Sequence, residues 1–414
     1  MLKFSGTTVN STLNTLQYST DNGKTWETFA DSYYIRLNLN KSMLFRGNCH
    51  PIGSTSGTSG IGSFGIGGNG FAKISGNIMS LLFGDNYENQ FDLTGYDYAF
   101  ANLFYGMGNR VSDITELILP ATTLSDYCYK SMFGYSGVRN LSSTLLPATA
   151  LKTGCYEFMF GSCSSLTTAP ELPATTLVRD CYKNMFYECA SLTSIPSGLL
   201  PATTLASYCY SHMFASCRGL TSIPSGLLPA TTLADYCYEY MFSGCTGLTS
   251  IPSDLLPATT AASYCYSSMF GSCIKLTSIP STLLPATTLA QYCYNGMFGS
   301  CSKLTSIPSD LLPATTLVYN CYRYMFNGCT SLTTAPDLPA TTLVYNCYSQ
   351  MFNGCSSLNY IKAMFTTTPS TSYTNNWVRG VASSGTFVKN SAATWNVTGA
   401  NGIPSGWTIQ TASS

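Results

Sequence analysis

From about residue 95 to about residue 365, apolar and polar positions follow one rhythm, written again and again. Each period opens on Leu-Pro-Ala-Thr-Thr-Leu, passes through Tyr-Cys-Tyr-x-x-Met-Phe-x-x-Cys, and closes on Leu-Thr-Ser-Ile-Pro. The proline of the opening phrase recurs at Pro120, Pro147, Pro173, Pro201, Pro229, Pro257, Pro285, Pro313 and Pro339, at intervals of 26 to 28 residues. Short intervals arise where the connection seen at Ile195–Pro201 contracts to the form seen at Ala169–Pro173. Length changes confined to one connection are what stacked units tolerate, because the rest of each unit must match its neighbours. A degenerate copy beginning at Tyr98 puts Ala99 and Met107 at the two cysteine positions and reads as a capping unit. The pattern predicts a solenoid.

Within a unit, Leu-Thr-Ser-Ile-Pro suits a short strand ended by a proline that cannot donate to a ladder. Ala-Thr-Thr-Leu is a second extended piece, on which adjacent Thr203 and Thr204 should point to opposite faces. A polar residue (Ser207, Asp235 or Ser263) then stands where it would cap a short helix. On that helix Cys237, Met241 and Cys245, with Tyr238 and Phe242 beside them, form one apolar arc; Glu239, Tyr240 and Ser243 lie opposite. The other copies agree. Glu239 is replaced by Lys130, Lys183, Asn295 and Arg323, and Tyr240 by Phe158, Asn184, His212, Gly296 and Gln350. The inward positions hardly change, so variation falls where solvent is expected.

The flanks differ. Residues 1–80 alternate through short runs such as "LNTLQYS" and "YYIRLNL" and predict a small antiparallel β-domain. Residues 81–119 read as a linker and N-terminal capping repeat, 120–365 as the solenoid, and 366–414 as a C-terminal cap. In that cap Trp377 should turn inward, and "GTFVKN" and "GWTIQ" supply closing strands.

The phrase Met-Phe-x-x-Cys-x-x-Leu-Thr-Ser-Ile-Pro resembles the BspA-like class of bacterial leucine-rich repeats. Met and Phe stand at that class's Ala-Phe positions, Cys245 matches its cysteine, and Leu248 and Ile251 match its strand apolars. The resemblance covers Gly95 to Met364 and implies an α/β leucine-rich-repeat solenoid, strands on one face and short helices on the other. The whole chain is also similar to proteins of gut Bacteroidales and their phages, which combine "YSTDNGKTW", "ISGNIMSLLFGDN", "LPATTL" units and an ending like "WVRGVASSGTFVKN". That similarity implies adhesion at a cell surface or on a virion; it carries over no site residue.

Charge narrows the function further. The 414 residues hold 19 Lys and Arg against 19 Asp and Glu, and only 9% are charged. Nucleic-acid binding needs clustered cations to displace counterions, so no nucleic-acid partner is expected. No apolar run approaches the ~18 residues that span a bilayer. The start "MLKFSGTTVN" has no apolar stretch after its lysine and does not read as a secretory signal. An uncharged surface of Ser, Thr, Asn, Gly and Tyr fits a virion component assembled in the host cytoplasm, or a bacterial surface protein.

The candidate chemistry is sparse. Of 18 cysteines, nine fall at the Cys237-type position, eight at the Cys245-type position, and Cys49 stands alone. Eight residues of helix are about 12 Å of rise, too far for a disulfide, and no Cys-x-x-Cys zinc spacing occurs. A reduced, buried thiol ladder is expected, with no metal and no cofactor. "STDNGKTW" (Ser19–Trp26) matches a box in which Asp21, Asn22 and Gly23 turn a tight hairpin and Trp26 packs onto it. "GIGSFG" and "GIGGNG" (Gly60–Gly70) fit a dinucleotide pattern, but they sit in a Ser/Gly run expected to be a loop. Only His50 and His212 could serve histidine catalysis; His212 falls at the variable, exposed helix position and His50 follows Cys49 with no partner in view, so no catalytic residue is assigned.

The expected role is therefore non-enzymatic adhesion or receptor binding, as a phage tail or fibre-like component recognising a bacterial surface glycan or protein. Virion decoration and a bacterial cell-surface adhesin are the alternatives. The candidate surface is Phe158, His212, Glu239, Tyr240, Arg323, Tyr324 and Gln350. The strand face at Thr221, Ser222, Thr249 and Ser250 is the second choice.

Overall fold

The computed structural model describes residues 1–5, 8–11, 15–29, 35–36, 42–49, 64–67, 72–108 and 110–412. These form two compact units, Met1–Pro201 and Ala202–Ser414.

In the first unit, β1 (Leu2–Ser5), β3 (Leu16–Ser19), β4 (Glu27–Thr28), β6 (Ser42–Gly47) and β8 (Ala72–Asn77) pair antiparallel in one sheet. A second sheet sets β2 (Thr8–Ser11) between β5 (Ile35–Arg36) and β7 (Phe64–Gly67). Pairing turns parallel where β8 meets β9 (Val111–Ile114) and β10 (Leu117–Ile118), and stays parallel to β11 (Asn140–Leu141). Coils that wind in one direction can only pair this way, so the change of sense marks where sheet gives way to solenoid. Leu2, Leu16, Met43, Phe45 and Ile74 fill the core.

The Ser19–Trp26 hairpin forms as expected. Asp21 accepts from the Thr25 hydroxyl (2.6 Å) and the Thr25 (2.9 Å) and Lys24 (3.1 Å) amides; Asn22 and Gly23 take positive φ. The Arg46 guanidinium lies 4.0 Å over Trp26. The glycine run, in contrast, is not all loop. Phe64–Gly67 is β7, and buried Phe64 packs between Phe45 (5.2 Å) and Phe104 (5.8 Å). One buried aromatic ring anchors a segment that its glycines alone would leave without a core contact. The rest of that run, and His50, lie outside the described residues.

The solenoid of the sequence reading is present, but its expected helix is not. Tyr208–Cys217 in the second unit is a run of turns in which backbone N–H groups alternate between two partners. Tyr208, Tyr210, His212, Phe214 and Ser216 donate to Asp235, Cys237, Glu239, Met241 and Ser243 of the next coil, at 2.7–3.2 Å. Between them Cys209, Ser211, Met213, Ala215 and Cys217 donate three residues back. Every fourth residue takes positive φ: Tyr208 at 61°, His212 at 57° and Ser216 at 60°. Such a conformation costs a non-glycine residue about 1–2 kcal/mol. Each inter-coil bond returns about 0.5–1.5 kcal/mol net, and an isolated helix this short is marginal in water. Cys237, Tyr238, Met241, Phe242 and Cys245 are at most 1% exposed, two in and two out with a period of four. A helical arc could hold the same five residues, which is why the pattern alone suggested a helix. The polar residue before the ribbon caps nothing: Asp235 accepts from the Ser263 amide of the following coil (3.0 Å).

Stacked columns fill the interior. In the second unit the Tyr210, Tyr238, Tyr266, Tyr294, Tyr322 and Tyr348 rings follow one another at 5.7–6.0 Å. Phe214 to Phe352 do so at 5.7–5.8 Å. Past Met351 and Phe352 the column ends on Trp377, fully buried, whose indole donates to Gly402 O (2.9 Å). Then β12 (Tyr360–Ala363), β13 (Thr386–Lys389) and β14 (Thr408–Thr411) close the unit as a parallel sheet.

All 18 cysteines are buried thiols outside any disulfide. Those of the Cys245 type do more than fill space. Cys245, Cys273, Cys301, Cys329 and Cys355 each donate a thiol hydrogen bond, at 3.1–3.3 Å, to a phenylalanine carbonyl of the preceding coil. Burial pushes the thiols up, to about 12 for Cys128, Cys245, Cys293, Cys301 and Cys355.

Cys273→Ala and Cys273→Ser remove similar volume but differ in the donor, so the serine protein should be more stable by about 1 kcal/mol in urea unfolding. Equal stabilities would leave the thiol no role beyond packing. A thiol whose folded pKa is raised stabilises fully below its unfolded value of 9.0 and loses that contribution as pH climbs towards about 12. Stability should accordingly be flat near neutral pH and fall through that alkaline window. Iodoacetamide at about pH 8 should label no thiol of the native protein and all 18 after denaturation.

Candidate functional site

The turn ribbon presents its outward pairs in columns, because inter-coil bonds hold equivalent residues of successive coils in register. Phe158, His212, Glu239, Tyr240, Arg323, Tyr324 and Gln350 all occupy these outward pairs and all are half-buried. Phe158, His212, Tyr240, Tyr324 and Gln350 share the second, positive-φ position, with φ between 53° and 57°.

Their neighbours differ. In the first unit Phe158 leans between Tyr135 (5.7 Å) and Tyr187 (6.2 Å). In the second, His212 stacks on Tyr240 at 4.6 Å and 14°, and Ser211 Oγ lies 2.9 Å from His212 Nδ1 and 3.5 Å from Glu239 Oε2. Further along, Gln350 Nε2 donates to the Tyr324 hydroxyl (2.7 Å), Arg323 Nη2 reaches the same oxygen (3.4 Å), and the Arg323 guanidinium carbon is 4.8 Å from the Tyr324 ring. The seven residues thus make one cluster at Phe158 and two in the second unit, not a single site.

A second column went unnoticed in the sequence. Tyr208, Tyr236, Tyr264 and Tyr292 stack face to face at 4.3–4.5 Å. The next tyrosines, Tyr319 and Tyr345, are shifted one residue earlier in their coils, and Asn320 and Asn346 take the positive-φ positions. Tyr319 meets Tyr292 edge-on (5.5 Å) and stacks on Tyr345 (5.2 Å, 6°); at 42% and 52% exposed these two are the open end of the ladder. Burial, together with hydrogen bonds to Tyr319 and Tyr264, pushes Tyr292 up to about 12. The Tyr319 phenol is lowered instead, first by the Asn320 amide, then by the Tyr292 hydroxyl and the Arg323 charge. The tyrosine directly before Cys-Tyr in four successive copies, Tyr208, Tyr236, Tyr264 and Tyr292, is the sequence signal for this column, and a helical reading of the unit hides it.

The strand face is more committed. Thr221, Ser222, Thr249 and Ser250 are exposed, but Thr249 gives both its amide and its hydroxyl to Thr221 O at 3.3 Å. Thr203 and Thr204 are both exposed, against the expectation of opposite faces, because only isolated bridges such as Thr260↔Thr288 interrupt an unpleated backbone. In the first unit a cleft of about 570 Å³ is lined by Gln17, Arg46, Asn48 and Asp85. Its cation is committed: Arg46 pairs with Asp85, donates from Nε to Gln17 Oε1 at 3.0 Å and covers Trp26. Among the described residues no three His, Cys, Asp or Glu converge on one point, and no helix is long and apolar enough to cross a membrane.

A family model described as a BspA type leucine rich repeat region, in six copies, matches residues 122–251 and 267–376, more than half of the chain. The chain belongs to this family. Its solenoid is a scaffold suited to a binding or adhesion-type role. A comparison with curated proteins finds no match.

The half-buried tyrosine ladder can be tested on its own terms. Tyr264→Ala removes two ring stacks, worth about 1–3 kcal/mol together, whereas Tyr264→Phe should keep most of that stability. Thermal melts of the two variants check it; equal losses would mean the hydroxyl chain matters more than the rings.

Proposed function

We propose that this chain is a non-enzymatic adhesion protein, a receptor-binding tail or fibre-like component of a phage virion that recognises a glycan or protein on a bacterial surface. One observation carries the reading. The outward columns at the Glu239 and Tyr240 positions change from coil to coil while the buried columns behind them stay the same, and inter-coil backbone bonds hold both in register. Aromatic, arginine and amide groups in that setting are those enriched at recognition surfaces. Weak contacts spread over successive coils would add through repetition. Buried, reduced thiols suit assembly in a reducing host cytoplasm before release in a particle.

Two experiments test it. Fluorescently labelled full-length protein should bind cells of a Bacteroidales host and compete with phage adsorption; no binding to any host surface sinks the adhesion role. Mass spectrometry of purified virions should find the chain in the particle. Its absence there, with presence on a bacterial outer surface, would replace the phage reading by a bacterial adhesin. Presence without cell binding would make it decoration.

A further inference from the structure

We infer that the patch around Arg323 is a subsite for a saccharide carrying a carboxylate. The inference rests on the binding role proposed above and gives that surface a ligand class. Among the described residues Arg323 makes no ion pair. Among those residues its one side-chain hydrogen bond runs to the Tyr324 hydroxyl, and its Nε is buried without a partner. A guanidinium held on a rigid frame, with donors unspent and no internal counter-ion, is preorganised for the paired oxygens of a carboxylate.

The surroundings favour a sugar over a peptide. The coil before contributes no side chain at the Tyr324 position, because Gly296 stands there; a Cβ on it would lie 4.0 Å from Tyr324 Cβ and only 2.9 Å from Ser268 Oγ. That vacancy distinguishes Tyr324 from Tyr240, which His212 covers. Gln350 beside it donates Nε2 to the Tyr324 hydroxyl (2.7 Å) and accepts from Asn353 Nδ2 on Oε1 (3.1 Å), which leaves one amide hydrogen and one lone pair for sugar hydroxyls. Tyr319, whose phenol feels the Arg323 charge, and Tyr345 are the two exposed large side chains of this stretch, and both are tyrosines. Their ring faces offer apolar surface on which the C–H face of a pyranose can pack, with the phenol rims left for its hydroxyls.

The test is titration calorimetry of the full chain with oligogalacturonates, their methyl esters as the uncharged control, and sialylated oligosaccharides as a second source of carboxylate. The acids should bind, and the esters should bind at least about tenfold more weakly. Arg323→Gln should lose about tenfold or more, Arg323→Lys should fall between, and Tyr345→Ala should weaken binding several-fold, its melting curve shifted only by the loss of its one stack on Tyr319. Preference between galacturonate and sialate identifies the sugar. Esters that bind as well as acids, or an Arg323→Gln protein that binds as well as the native one, would overturn the subsite. So would Arg323-dependent binding of poly-glutamate with no saccharide binding, which would make the ligand a protein. Cell binding separates the two levels: if Arg323→Gln still binds cells fully, the subsite fails and adhesion stands; if the native protein binds none, adhesion itself fails.

Discussion

Every second backbone N–H of the turn ribbon donates to the coil that follows, and this bond sets the rest of the structure. It fixes the register of equivalent residues, so tyrosine falls on tyrosine and phenylalanine on phenylalanine at nearly constant separations. It forces a period of four residues, with a left-handed residue at each repeat. Alternate amides are consumed in local turns, which leaves side chains in pairs, two in and two out. The inner pairs become a core and the outer pairs a surface from the same rule.

That rule also explains what could be read in advance and what could not. Repetition, the inward cysteine, methionine and phenylalanine positions, and the inward turn of Trp377 were legible because each is a statement about which side of the chain is dry. The conformation of the ribbon was not. Cys237, Met241 and Cys245 occupy one side of a helix and one side of a four-residue turn ribbon alike, and the difference lies in bonds to another coil, on which a single unit is silent. The clue was there in part: Gly244, Gly296 and Gly328 fall on positive-φ positions, where a helix interior has no use for glycine. Phe64 was missed for the opposite reason, since its neighbours are glycines and its burial depends on Phe45 and Phe104, distant in the chain.

The candidate surface divides in the same way. Outward placement of Phe158, His212, Glu239, Tyr240, Arg323, Tyr324 and Gln350 followed from variation between copies, and survives the loss of the helix because both geometries put those positions outside. Their grouping did not follow, since which residues touch depends on what the adjacent coil carries. A glycine at position 296 and a tyrosine moved one residue to 319 matter only when coils are laid side by side.

Because backbone bonds run from each coil to its neighbours and side-chain columns repeat almost without change, any interior coil presents nearly the same two faces for stacking. A gene encoding such units is a tandem array of similar segments, and recombination between misaligned copies adds or removes whole units in frame. Most proteins would not survive that exchange. Here the product meets its neighbours through an interface it already has, so the length of this molecule, and with it the number of outward pairs on show, is open to change in a single genetic event.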